Sequence, residues 1–263
     1  MRREAAKPTK ESYAFNHIPK VGGTTIYRVL ERLIGPALSP PISLSDDVQY
    51  NATAEDYERF LIIIGHFGVA ANDVLAPNRR WMTMLRDPID RVLSNYYFWR
   101  GLAPASPDLP HVYAAQTLPI EEYVRSQDFM VVQGRDNVQT WFLADDFRRK
   151  FRKVPESDAF DIAKEHLAKR FVFVGIFEHY SESVTRLCRV LDMPSPDFPI
   201  PVENRTGVRK QASEIDPAVI EAFREVNTMD QALYEFAKER FDEESARQNT
   251  ASPMRIEPGT LAP

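Results

Sequence analysis

One cysteine, Cys188, stands among 263 residues. No intramolecular disulfide can form, which excludes a disulfide-stapled secreted domain. Long apolar runs are also missing. The longest, Phe60 to Ile64 and Phe171 to Val174, fall far short of the roughly 20 residues that span a bilayer. Met1 to Tyr13 carries charges and no apolar stretch, so no secretory signal is expected. Positive charge is not in excess: the net charge of −5 offers no footprint for bulk nucleic-acid binding. No His-x-x-x-His or Cys-x-x-Cys spacing occurs, so no metal is expected. Glycine is scarce, 10 residues against an average near 7%. That scarcity makes the one adjacent pair, Gly22-Gly23, conspicuous.

What is present fits an ordinary globular chain, 43% hydrophobic and 27% charged. Twenty prolines gather in clusters that mark loops. Between them lie apolar runs of strand length, Tyr13 to Ile18, Phe60 to Gly65, Trp81 to Leu85 and Phe171 to Ile176. Unbroken runs of this kind suit parallel strands covered on both faces. Helical periodicity follows them: Ile26, Val29, Leu30, Leu33 and Ile34 share one face; so do Ile89, Val92, Leu93, Tyr96 and Tyr97; so do Val184, Leu187, Cys188 and Leu191. Two more helices are expected near Glu214 to Val226 and Thr228 to Phe241. Strand–helix alternation predicts an α/β fold with a central parallel sheet flanked by helices. One domain is expected over 12–243, between a flexible 1–11 and a loose tail over 244–263. Parallel sheets bind ligands beyond the carboxyl ends of their strands, so the residues after each strand draw attention.

The first such place is Asn16-His17-Ile18-Pro19-Lys20-Val21-Gly22-Gly23-Thr24-Thr25. Glycines there let backbone approach a ligand, and the helix that follows presents free N–H groups and a positive dipole end. Lys20 adds a cation, and Thr24 and Thr25 add hydroxyls. The segment reads as a phosphate cradle or as a plain strand–helix turn with a solvated lysine. It is not a Walker loop, because Lys20 precedes the glycines. The second place is Leu85-Arg86-Asp87-Pro88, continuing through Arg91 and Ser94 to Tyr97. Asp87 and Pro88 open a helix as N-cap and first residue. Arg86 reads either as a fork for phosphate oxygens or as half of a surface ion pair. The third is Ile64-Gly65-His66-Phe67-Gly68, which puts an imidazole at a strand end. A neutral histidine there is a general base or a structural side chain.

Taken in order, Pro-Lys-x-Gly-Gly-Thr-Thr and Leu-Arg-Asp-Pro-x-x-Arg-x-x-Ser-x-Tyr-Tyr resemble the PAPS-dependent sulfotransferases. The similarity is to the carbohydrate branch, the uronosyl 2-O type in particular, and extends in motif order over about Tyr13 to Val190. It implies a P-loop-kinase-like sulfotransferase fold and PAPS as donor. It implies that Lys20, Val21, Gly22, Gly23, Thr24 and Thr25 hold the 5′-phosphosulfate and that Arg86 and Ser94 hold the 3′-phosphate. It also implies that His66 is the base. Related enzymes close over the 3′-phosphate with a late basic loop, which makes Arg209 and Lys210, in Glu203 to Lys210, candidates for that contact; otherwise the segment is a solvated loop.

The reaction implied is sulfuryl transfer from PAPS to a hydroxyl of a carbohydrate or other small acceptor. The alternatives are a non-catalytic PAP-binding protein and a P-loop kinase-like phosphotransferase. The setting expected is bacterial and cytoplasmic, since the membrane anchor and paired cysteines of Golgi relatives are missing. His17 is expected to shape the cradle. Gly101 to Pro119 is expected to be a loop that sets acceptor specificity, and Asn137 to Trp141 to line the acceptor pocket. The basic run Arg148 to Lys153 reads either as a patch that attracts an anionic acceptor or, more simply, as a solvated helix end.

Overall fold

Strand β1, Tyr13–Asn16, is buried along its whole length and lies at the centre of a five-stranded sheet. The computed structural model describes residues 11–43, 53–75, 77–105, 109–146, 148–200 and 209–251. The other strands are β2 (Ile42–Ser43), β3 (Ile62–His66), β4 (Arg80–Leu85) and β5 (Phe171–Ile176). Their order is β2-β3-β1-β4-β5, and every pairing is parallel. The apolar runs account for this: Ile62, Ile63 and Ile64 are buried, as are Met82, Met84 and Leu85. Gly65 is required by the sheet itself, since a Cβ there would lie 2.0 Å from the carbonyl oxygen of Ile42 on β2.

Eight helices carry the argument: α1 (Gly23–Ile34), α2 (Pro88–Arg100), α3 (Pro110–Thr117), α4 (Val138–Ala144), α5 (Glu156–Lys169), α6 (Tyr180–Val190), α7 (Pro217–Glu225) and α8 (Thr228–Ala251). α1 buries Ile26, Val29 and Leu30 in the sheet core. α2 starts as its sequence predicts, with the Asp87 carboxylate accepting from Asp90 N–H at 2.9 Å and Pro88 in the first turn. Its face of Ile89, Val92, Leu93 and Tyr96 joins Ala115, Tyr123, Val131 and Phe223 in a second core beside the sheet.

Three sequence expectations change. Gly101 to Pro119 is not simply a loop: Pro110 occupies a helix's first turn and α3 follows. α3 is tied to α2, because Arg100 donates to Ala115 O at 2.9 Å and Tyr96 to Leu118 O at 3.0 Å. The basic run is not a solvated helix end. Arg148 is buried against Asp146 at 2.6 Å, and the Arg152 guanidinium lies 3.7 Å from the Trp141 ring centre. The tail does not begin at Glu244, because α8 runs on to Ala251. Glu244 and Ser245 are anchored: Arg186 donates to Glu244 at 3.1 Å and Ser245 to Glu182 at 2.6 Å. Among the described residues no helix is long and apolar enough to cross a membrane. The expectations of a flexible N-terminus, a basic loop over most of 203–210 and a tail to 263 fall on residues 1–10, 203–208 and 252–263, which lie outside the described residues.

Candidate functional site

The strand order places the site. From β1 the chain builds β3 and β2 on one side, then crosses to β4 and β5 on the other. A crevice forms at such a reversal, beyond the carboxyl ends of the strands. The loop after β1, His66 at the end of β3 and Arg86 after β4 therefore meet there. Buried polar groups knit these ends: the Asn16 and Asn72 amides pair reciprocally at 3.1 Å, Asn16 donates to Phe67 O at 2.9 Å, and Thr83 donates to Asn16 O at 2.9 Å.

Beyond Asn16 the chain turns through two left-handed residues, Lys20 at φ 72° and Gly22 at φ 87°. At Gly22 a side chain would also collide with the Tyr180 ring, 2.7 Å from a Cβ, and the Tyr180 hydroxyl donates to Gly22 O at 2.9 Å. A non-glycine residue in this conformation is strained, and such strain gathers at functional sites. No side chain caps α1 and no acidic residue sits in its first turn. Its positive dipole end therefore suits an anion. Val21 is buried in the core, so only its backbone belongs to the cradle.

Three cations converge. The Lys20 ammonium sits 3.7 Å above the Phe98 ring, and burial, with Arg86 and Arg209 nearby, pushes it down to about 8. Arg86 is buried, donates to Lys20 O at 3.1 Å, and lies 4.1 Å from the centre of the Phe177 ring. Burial first, then Arg209, bring its guanidinium down to about 10. Asp90, Asp87 and Glu178 oppose that shift without cancelling it. Arg209 forms an ion pair with Asp90. The Nε atoms of Arg86 and Arg209 are buried with no partner among the described residues. Like-charged groups packed together with unused donors are what a polyanion would satisfy. Ser94 is buried on the same wall. Lys210 is exposed and lies outside this cavity.

Across the cavity is His66. Its Nδ1 lies 2.7 Å from the carbonyl of His17. A carbonyl only accepts, so Nδ1 carries the hydrogen and the neutral ring keeps Nε2 as a free base. Burial holds its pKa below the usual imidazole value; the His17 carbonyl works against that shift, and Lys20 adds to it. The ring is therefore neutral at pH 7 and able to accept a proton.

These groups line a cavity of 330 Å³ whose walls include Lys20, Gly22, Thr24, His66, Arg86 and Ser94. Asn95, Phe98, Trp99 and Phe177 complete it and were not anticipated. The helical spacing of Asn95, Phe98 and Trp99 beside Ser94 was their only signal. The expectation for Asn137 to Trp141 is corrected. This segment is buried, and Gln139 instead brackets the backbone of Arg86. Gly101 to Pro119 approaches the cavity through His111, whose ring centre is 4.8 Å from that of Trp99. A larger groove of 780 Å³ runs along Asp87, Asp90, Gln211 and Glu235 but meets neither Lys20 nor His66. Among the described residues no group of three or more His, Cys, Asp or Glu side chains is placed to hold a metal.

A cationic cradle faces a neutral imidazole across one cavity, an arrangement suited to group transfer from an anionic donor. Which group moves is settled by sequence: the profile of the Sulfotransferase family matches residues 7–237. The chain belongs to the Sulfotransferase family and is a PAPS-dependent enzyme. This sets aside the phosphotransferase alternative. The chain is 23% identical over 252 residues to a Drosophila melanogaster protein named heparin sulfate O-sulfotransferase, covering 87% of this chain and 71% of the relative. The solved structure of mouse sulfotransferase SULT7A1 complexed with PAP matches at a TM-score of 0.49 and 14% identity, over 89% of each chain.

Proposed function

We propose that the enzyme transfers the sulfuryl group of PAPS to a carbohydrate hydroxyl, with His66 as base. The observation that carries this reading is the single cavity that holds Lys20, Arg86 and His66. The acceptor oxygen attacks sulfur, its proton passes to Nε2 of His66, and the bond from sulfur to the phosphate oxygen of PAP breaks. Negative charge grows on that leaving oxygen. Lys20 and the N–H groups of Gly22 to Thr25 are fixed donors for it, which is the usual source of transition-state stabilisation. Arg86, Ser94 and Arg209 take the 3′-phosphate, whose charge matches the unused Nε donors of the two arginines. No further chemical group is required, so positioning supplies much of the rate.

The carbohydrate acceptor is supported by the resemblance to the uronosyl 2-O branch and by the name of the fly relative. It is also supported by the aromatic side chains Phe98 and Trp99 in the lining of the same cavity, a residue type that suits the apolar faces of a sugar ring. The test is transfer from radiolabelled PAPS to a panel of glycans, alongside PAP binding, for His66→Ala and Lys20→Ala. His66→Ala is expected to lower kcat by roughly 10²–10⁴ while PAP still binds. Near-normal transfer by His66→Ala overturns the base assignment. PAP binding with no transfer to any hydroxyl compound overturns the catalytic reading of the acceptor side.

A further inference from the structure

His17 is half-buried beside the base, and the chemistry above leaves its side chain without a role. Its ring stacks on that of His66, with centres 4.4 Å apart and planes 28° apart. Its backbone N–H donates to Gly65 O at 2.8 Å, which fixes it to the end of β3. The opposite side is closed by the cradle. A Cβ on Gly23 would lie 1.9 Å from both Cδ2 and Nε2 of the His17 ring. Gly23 therefore has a second reason to be glycine, distinct from the approach of a ligand. The ring is clamped between the first residue of α1 and the base, and it lines the cavity.

We propose that His17 is a positioning residue for His66. Its carbonyl selects the tautomer and its ring is a flat, uncharged plate. The plate holds the base in plane and keeps water off one of its faces. The inference rests on His66 being the base. Burial holds both rings below the ordinary imidazole value, and for His17 the nearness of His66 and Lys20 adds to this. Two stacked imidazoles so placed oppose each other's positive charge, so a proton taken by one makes the other harder to charge. The groups that face the pair are Lys20 from the cradle and Arg86 across the cavity; Ile42 and Ser43, which pair with the end of β3, carry no charge. When His66 takes the acceptor's proton at Nε2, its Nδ1–H remains on the His17 carbonyl. The imidazolium forms without reorientation.

Nitrogen NMR of the unsubstituted protein comes first. The Nδ1-protonated tautomer of His66 is expected, and the Nε2-protonated form overturns the proposal without any variant. Next, His17→Ala and His17→Phe are compared by His66 titration and by the pH profile of kcat/KM. In His17→Ala the His66 titration and the acid limb are expected to move up together toward about 6.5. kcat is expected to fall about tenfold to a hundredfold, with KM for PAPS within about twofold. His17→Phe keeps a plate of similar size and is expected to restore both the limb and most of kcat. A His17→Ala protein whose His66 titration is unmoved, or a His17→Phe protein as impaired as His17→Ala, overturns the proposal. Activity of His66→Ala would instead sink the base assignment, so the two failures are distinguishable.

Discussion

The side-chain amide of Gln139 pairs with both backbone groups of Arg86, accepting from its N–H and donating to its C=O at 2.9 Å each. Arg86 leaves the sheet at this point, so a side chain supplies the pairing that a further strand would have given. Gln139 is itself held: its N–H and that of Thr140 donate to the buried Asp230 carboxylate at 3.0 and 2.7 Å. Asp230 belongs to the first turn of α8. The C-terminal helix is thereby connected through α4 to the arginine of the donor site.

Gln139→Leu is expected to weaken donor binding. It leaves the Arg86 N–H and C=O buried without partners, at about 1–3 kcal/mol for each group. Part of that cost is relieved by a shift of Arg86 away from the cavity. KM for PAPS should rise about tenfold with kcat nearly constant, the pattern of lost ground-state binding. Affinity for AMP, which has no 3′-phosphate, should change little. Equal losses for PAP and AMP would show that Gln139 supports the whole cavity and not Arg86.

Much of the site was legible because its residues are close in sequence to strand ends. Lys20, Gly22 and Arg86 each follow a strand and His66 ends one, and a parallel sheet brings such positions to one edge. Gln139 was not legible, since it meets Arg86 across 53 positions and nothing in its own helix marks it. The stack of His17 on His66 was hidden in the same way. Each histidine reads as a lone side chain until β1 and β3 are paired in register, Asn16 beside Gly65. Gly101 to Pro119 was misread because proline was taken as a mark of loops. Pro110 lacks only an N–H that a helix's first turn does not use.

Gly65→Ala is expected to destabilise the protein with little direct effect on donor binding. The new methyl would stand 2.0 Å from the carbonyl oxygen of Ile42, a backbone atom that moves only with β2. Overpacking of this kind costs about 1–3 kcal/mol, which for a chain of this size lowers Tm by roughly 3–10 °C. Gly101→Ala is the control. Its Cβ would meet neighbours at 3.4 Å and 3.7 Å, ordinary contact, and its φ is −87°. Equal Tm values for the two variants would refute the close-packing account.

The depressed pKa of Lys20 predicts how donor affinity depends on pH. In the free protein the ammonium loses its proton at about 8, because burial and the neighbouring Arg86 and Arg209 oppose its charge. A bound phosphosulfate favours the charged form and lifts the pKa back toward the ordinary lysine value near 10.4. Binding below the free value therefore takes up no proton at this group. Above it, each binding event must recharge Lys20, and affinity falls as pH rises. Between about pH 7 and pH 9 the loss should approach tenfold. Arg86 stays charged over this range, since it titrates near 10, and the 3′-phosphate of PAP is already fully ionised. Calorimetry in buffers of different ionisation enthalpy should detect net proton uptake on PAP binding at pH 9 and none from this source at pH 7. Lys20→Met should bind more weakly at pH 7 and show a nearly flat profile. A Lys20→Met profile as steep as the wild type would place the titrating group elsewhere.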